Sequence, residues 1–315
     1  MNKIILCGVG GNLGSKAAEL LLDKYPHDRL IFTSPRADRL EPYAAQGVDT
    51  RIADFNDAAS LSDAFSGADV MILVSMPFVG QKRRDAHKNA LDAAINAGVQ
   101  KIVYTSVVGA GCEDIDAYEV NDHVWFEQYI RSRPIHYLIL RNSQYAEAMI
   151  TNYLFAHESC RDVISNNMGE GKMALVSRVD CAKAAVAAAM GDWQDRVIDV
   201  NGAQLLTMHE FVGIGNAVTG WNVRYEAISD EENYAVFDAM GVPRKTEGEW
   251  AGDAAKFPYC SDGMVSFGRA IRKNQMAVLT EDFRELTGDA PITLTEMFED
   301  MRAYQVGERN SVDTY

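Results

Sequence analysis

The chain has 315 residues, 47% of them hydrophobic and 24% charged, with a formal net charge of −15. That length buries a large core, as one big α/β unit or as a nucleotide domain with a smaller partner, and the acidic balance excludes a nucleic-acid partner, which needs a basic surface. No apolar run reaches the roughly 18 residues that span a bilayer, and the N-terminus enters a strand with no signal peptide, so a cytoplasmic protein with no membrane contact is expected.

The apolar run Ile4, Ile5, Leu6, Cys7 passes directly into Gly8-Val9-Gly10-Gly11-Asn12-Leu13-Gly14, then into a helical pattern with Ala17, Ala18, Leu20, Leu21 and Leu22. Strand, glycine turn and helix predict a dinucleotide site. Gly8 permits the tight turn, Gly11 lets backbone approach a pyrophosphate, and Gly14 lets the helix pack on the strand. Amides at the helix start then face an anion. Gly8, Gly10, Gly11, Asn12, Leu13 and Gly14 are therefore the expected cradle, against the alternative of an ordinary βα turn.

Leu30 to Thr33 reads as the second strand, followed by Ser34-Pro35-Arg36 and Arg39. An NAD site would place an acid here for the ribose 2′-hydroxyl; hydroxyls and arginines suit the extra phosphate of NADP, although both arginines also suit a solvated helix start. A strand around 48–53 ends in Asp54 and Phe55, near the adenine in related folds, or with Asp54 simply capping a turn. Val70 to Val74 is a fully apolar strand of the kind a sheet covered on both faces requires, and Ser75 and Met76 follow at its carboxyl end.

The basic cluster Lys82, Arg83, Arg84 reads as the solvated start of a helix over 81–97. Lys101 to Ser106 is the fifth strand, with Thr105 and Ser106 on the cleft edge. Asp122 is positioned to cap a helix from His123 to Arg131, and a sixth strand runs from Ile135 into Arg141 and Asn142. Strands alternating with helices imply βαβ units and a parallel sheet.

Beyond Asn142 the pattern loosens. A helix is expected over 145–159, a strand over 172–176, an alanine-rich helix over 180–190, and a strand over 197–200 that returns to the sheet as its last member. Thr207 with Glu210, and Thr293 with Glu296, form capping-box pairs, and 223–228 reads as a strand. The expected architecture is a Rossmann-type doubly wound α/β sheet, residues 1–142 with 178–201, and a smaller interleaved substrate lobe, residues 143–177 with 202–315. Five cysteines and six histidines show no ligand spacing, so no metal is expected.

The residues just described resemble the NmrA-like atypical short-chain dehydrogenase/reductases, with bacterial NAD(P)H:quinone oxidoreductases and triphenylmethane reductases nearest in pattern. The resemblance is carried by G-x-x-G-x-L-G at the N-terminus, Ala44-Ala45-Gln46-Gly47, Ala97-Gly98-Val99 leading into Tyr104-Thr105-Ser106, Leu140-Arg141-Asn142 with Tyr145, and Gly169-Glu170-Gly171-Lys172 with Arg178 and Asp180. It fades after the strand at 223–228. It implies a nicotinamide cofactor along the glycine turn and a substrate cleft beneath a small C-terminal lobe. Two departures stand out: Val9-Gly10 replaces the family's frequent Ala-Thr, and the phosphate-binding arginine stands at Arg36 rather than at position 35.

Many members of the wider superfamily reduce ketones with a Tyr-x-x-x-Lys pair, in which the lysine lowers the tyrosine pKa. Tyr118 has Asp122 in the lysine position, which works in the opposite sense. His123 falls where the family carries a lysine or histidine; it is either a proton donor with its pKa lowered by a helix N-terminus, or a packed helix-start histidine. Glu127 orients that ring or faces solvent. Asn142 and Tyr145 border the nicotinamide and substrate, or cap the next helix, with Arg141 beside the cofactor. Met76, Phe78, Trp125 and Phe126 are candidate cleft walls.

The sequence thus predicts an NADPH-dependent oxidoreductase, with NADH as an open substitute, that passes hydride to a small planar electron-poor acceptor such as a quinone. The alternative is a non-catalytic NADP-sensing regulator. A homodimer is compatible with either.

Overall fold

The computed structural model describes residues 1–77, 79–245, 257 and 259–306. In chain order its strands are β1 (Ile4–Cys7), β2 (Leu30–Ser34), β3 (Asp49–Ile52), β4 (Val70–Leu73), β5 (Lys101–Val107), β6 (His136–Asn142), β7 (Val163–Asn166), β8 (Arg196–Val200) and β9 (Arg224–Ala227). The helices are α1 (Asn12–Lys24), α2 (Glu41–Ala44), α3 (Ala58–Phe65), α4 (Gln81–Asn96), α5 (Tyr118–Arg131), α6 (Ala146–Glu158), α7 (Arg178–Met190), α8 (Met208–Thr219), α9 (Asp230–Ala239), α10 (Ser261–Arg272), α11 (Asp282–Thr287) and α12 (Leu294–Glu299).

Seven strands form one sheet in the order β3-β2-β1-β4-β5-β6-β8, every neighbour parallel. Side chains alternate across it, as the period of two requires. Ile4 and Leu6 join one core with Val70, Ile72, Leu138 and Leu140, closed by α1, α7 and Phe283. Ile5 and Cys7 join the opposite core with Met71, Leu73 and Ile139, closed by α3, α4 and α5. The apolar run at the N-terminus is therefore a strand buried on both faces, and the fold is Rossmann-like. The order reverses between β1 and β4, so the carboxyl end of this pair is where such sheets accept ligands.

A third core holds the C-terminal helices together with α6, centred on Tyr153, Phe211 and Phe298. Beside it β7 and β9 make a two-stranded parallel sheet. Both capping boxes read from the sequence are present at α8 and α12, and Ser229 with Glu232 makes another that opens α9.

Four expectations need correction. Residues 172–176 form no strand; they make only isolated bridges, Met173 to Leu206 and Val176 to Tyr145, because no neighbouring segment runs long enough beside them. The second sheet uses β7, which the sequence did not suggest. The helix assigned to start at His123 starts at Tyr118, with Ala117 at its N-cap. Asp122 lies inside that helix and serves tertiary partners, accepting from the Gly80 amide at 2.6 Å and from Arg84 Nε at 2.7 Å. The supposed solvated cluster is likewise not all at the surface: Arg83 is 6% exposed, with Lys82 and Arg84 half-buried beside it.

Candidate functional site

The glycine turn stands at the switch point. Gly8 has φ +89°, a conformation that L side chains rarely adopt. Gly8 and Val9 donate to the Thr33 carbonyl, which ties the turn to β2. A Cβ at Gly14 would land on the Gly8 carbonyl, so this glycine is needed for helix to meet strand. At Gly11, the α1 N-cap, φ is −88° and the nearest atom to a Cβ would be the Gly8 carbonyl oxygen at 3.5 Å. No side chain caps α1. Its first amides are left for an acceptor from outside the helix.

Those amides face a cavity of about 700 Å³ along the carboxyl edge of the sheet. Gly8, Gly10, Gly11, Asn12, Leu13 and Ser34 border it on the β1 and β2 side, with Asp54 and Phe55 following β3. Ser75, Met76, Thr105 and Ser106 border the middle, and His123, Asn142 and Tyr145 border the side nearest β6. Four of the residues singled out do not line it. Gly14 packs beneath the turn, and Arg36 is held by Asp38 through bonds of 3.0 and 2.7 Å. Arg39 lies along Gly10, its Cγ 3.1 Å from where a Cβ would stand, and its Nε is buried without a hydrogen-bond partner. Arg141 turns away to Glu127.

Several roles are resolved by geometry. Glu127 is 3% exposed and neither faces solvent nor touches the imidazole; it accepts from Arg141 at 2.9 and 2.6 Å and from the Ser106 hydroxyl at 2.7 Å. Asp54 accepts from the Asn56 amide at 2.9 Å, so it shapes a turn while bordering the cavity. Thr105 accepts from the Ser75 amide at 2.8 Å, which fixes the end of β4 against β5. Asn142 donates weakly to the Tyr145 hydroxyl at 3.4 Å, and its Oδ1 is buried with no partner.

His123 is 7% exposed, with Nδ1 2.7 Å from the Tyr104 hydroxyl. Burial, reinforced by Arg83 and His87, holds its pKa well below the ordinary imidazole value. The cause is desolvation rather than a helix N-terminus, since α5 begins five residues earlier. Burial also raises the Tyr104 phenol and pushes Tyr145 up to about 12. The buried Tyr104 hydroxyl is shared between His123 Nδ1 and the Ser75 side chain.

A model of the NmrA-like family matches residues 1–255. The chain belongs to the NmrA-like family. It is 29% identical over 243 residues to quinone oxidoreductase 2 of Escherichia coli (strain K12), covering 76% of this chain and 82% of that protein. An NAD(P)H azoreductase of Xenophilus azovorans is 26% identical over 247 residues, covering 76% and 82%. Among solved structures, Citrobacter sp. triphenylmethane reductase complexed with NADP(H) superposes with a TM-score of 0.82 at 26% identity, covering 95% of this chain and 99% of that one. The E. coli NADPH-dependent quinone oxidoreductase complexed with NADPH gives 0.82 at 25%, again over 95% and 99%. The C-terminal helices that read as unfamiliar are thus part of the shared fold.

In this NmrA-like chain the far wall is not the aromatic pair expected. Phe126 is fully buried in the core under α4, and Trp125 stacks on Tyr129 with centroids 5.4 Å apart. Phe78 lies outside the described residues. The wall consists of Met149, Met168, Met173, Met264 and Phe267, with Met76 across the middle. Arg178 also borders the space, its guanidinium 4.5 Å from the Tyr145 ring and backed by buried Glu147. Arg83 and Glu119 complete the polar floor. The methionines come from α6, α10 and the loop at 168–173, so only tertiary structure gathers them; the one sequence signal was the cluster at 82–84.

Proposed function

We propose that the protein is an NADPH-dependent reductase that delivers hydride to a small, planar, electron-poor acceptor, a quinone. One observation carries this reading: a single cavity runs unbroken from the uncapped start of α1 to the methionine wall, giving a nucleotide and a flat apolar acceptor adjoining places. The relatives named above, two of them solved with NADPH or NADP(H), support it.

The residues present fit the cofactor. The first amides of α1 would hold the diphosphate, and Arg39, whose Nε makes no hydrogen bond and only a long 3.9 Å ion pair with Asp38, would meet the 2′-phosphate in place of Arg36. Asn142 Oδ1, a buried acceptor without a donor, would take a carboxamide N–H. NADPH supplies the hydride when bound, and the acceptor must gain a proton beside it. His123, neutral at physiological pH, is not the acid; in the tautomer that accepts from Tyr104 at Nδ1, its Nε2–H donates a hydrogen bond to the acceptor oxygen as negative charge develops there. Tyr145 stays un-ionised and supplies a fixed hydroxyl. Water provides the proton to an aromatic product that needs no strong acid.

The test is to mix purified protein with NADPH and a panel of quinones and follow absorbance at the reduced-nicotinamide band. Turnover is expected, and His123→Ala slows it, with the wild-type rate flat from mildly acidic to mildly alkaline pH. Tight NADPH binding with no oxidation by any acceptor would sink the reductase and leave the non-catalytic regulator. The open space beyond Asn142 favours the enzyme, because a sensor has no need of it.

A further inference from the structure

One charged group at the acceptor end is held only loosely by the fold. Arg83 is 6% exposed and borders the cavity. Its Nε is buried with no hydrogen-bond partner. One terminal nitrogen lies 3.5 Å from the Glu119 carbonyl, the outer limit of a hydrogen bond, and 4.0 Å from the Asp122 carboxylate. Asp122 does not depend on it, being held by Arg84 Nε at 2.7 Å and the Gly80 amide at 2.6 Å. A guanidinium taken out of water with one donor unfilled and its ion pair stretched is costly, and that cost is offset when a ligand brings a further acceptor.

The neighbouring charges agree. Lys82 borders the same region, and Glu119, one turn before His123, is the only carboxyl among the described residues that lines this end. Burial raises the Glu119 pKa, with the Arg83 charge opposing the rise and Asp122 adding to it. Its carboxylate forms no ion pair with Arg83 among the described residues.

We infer that Arg83 is the recognition group for a negatively charged acceptor, an ionised hydroxyquinone or a planar aromatic bearing carboxylate or sulfonate, whose anionic oxygen meets the guanidinium where it borders the cavity. The inference rests on the reductase reading for what the acceptor end does, but the recognition itself needs no turnover. Cationic acceptors are disfavoured by a buried cation at this place.

Calorimetry with and without NADP+ tests it at neutral pH. The probes are hydroxynaphthoquinone, an anion under these conditions, and its methoxy ether, a neutral molecule of nearly the same shape. Wild-type protein should bind the anion about tenfold or more tightly than the ether. Arg83→Met should erase that difference while leaving the ether and NADPH affinities unchanged, and Arg83→Lys, which keeps the charge, should retain part of it. Thermal melting checks that each variant is folded, and the lysine variant carries the test if the methionine variant is not.

Equal binding of the two probes by wild type, or an undiminished preference in Arg83→Met, overturns the inference. So does a loss of NADPH affinity in Arg83→Met as large as the loss for the anion, since that would assign the arginine to the cofactor. If wild type prefers the anion but oxidises NADPH with no quinone, the reductase reading fails and the recognition stands. If it turns over both quinones equally without preference, the reverse holds.

Discussion

Replacing Gly11 by valine separates nucleotide binding from folding, because Gly11 and Gly14 differ in what a Cβ would meet. At Gly11 the backbone is extended, φ −88° and ψ 165°, and the nearest atom is 3.5 Å away, an ordinary contact. The added side chain costs the fold little: valine is a poorer N-cap than glycine by roughly 1 kcal/mol at most. It does stand between the α1 amides and anything that binds them. Hydrogen bonds to a charged group contribute about 1.5–3 kcal/mol each, so losing two weakens NADPH binding by about 3–6 kcal/mol, or between a hundredfold and ten-thousandfold. Gly14→Ala should behave in the opposite way, since its Cβ falls on the Gly8 carbonyl; overpacking of this kind costs roughly 1–3 kcal/mol or more of stability. Fluorescence titration with NADPH and urea denaturation read the two effects. A folded Gly11→Val protein that binds NADPH as tightly as wild type would show that the diphosphate does not sit on this turn.

Other expectations follow from particular contacts. Arg39→Ala should weaken NADPH binding by about tenfold to a hundredfold and leave NADH unaffected, whereas Arg36→Ala, already neutralised by Asp38, changes neither; equal losses for both nucleotides would remove Arg39 from the 2′-phosphate. Glu127→Ala takes the bidentate carboxylate from the half-buried Arg141 guanidinium, and should cost about 1.5–3 kcal/mol in urea denaturation, with Arg141→Met restoring much of it in the double variant. A cost below about 1 kcal/mol would contradict the buried pair. Burial pushes the Cys7 thiol up from 9.0 to about 12, so between those values the folded state keeps a proton that the unfolded chain has released. Stability should therefore fall as pH rises through that window by about 1.4 kcal/mol per pH unit from this group, and Cys7→Ala should flatten the slope by that amount.

Sequence reasoning reached furthest where local chemistry and the final environment coincide. Gly8 and Gly14 are dictated by a turn and a packing contact within seven residues, and the Val70 to Leu73 run can only be a strand covered on both sides. The capping boxes at Thr207 and Thr293 are likewise closed circuits of neighbouring residues. It failed where a residue suited to a local role serves a distant one. Asp122 has the chemistry of an N-cap, yet its acceptors are spent on Gly80 and Arg84 from another helix. Arg83 belongs to what reads as a solvent-facing run until α5 closes over it. Four residues from Val163 carry no strand signal until Arg224 to Ala227 arrives beside them. The polar middle of the site, bordered by Thr105 and Asn142, was legible because parallel strands deliver such residues to one edge; the methionine wall was not, because three separate segments build it.

That wall bears on how selective the chamber can be. Met76, Met149, Met168, Met173 and Met264 are unbranched thioethers that change outline by rotating side-chain bonds, with no shift of the main chain. Molecules of quite different contour can then lie against them at similar cost. Discrimination by silhouette is weak in such a place, and substrates are sorted instead by where they carry charge.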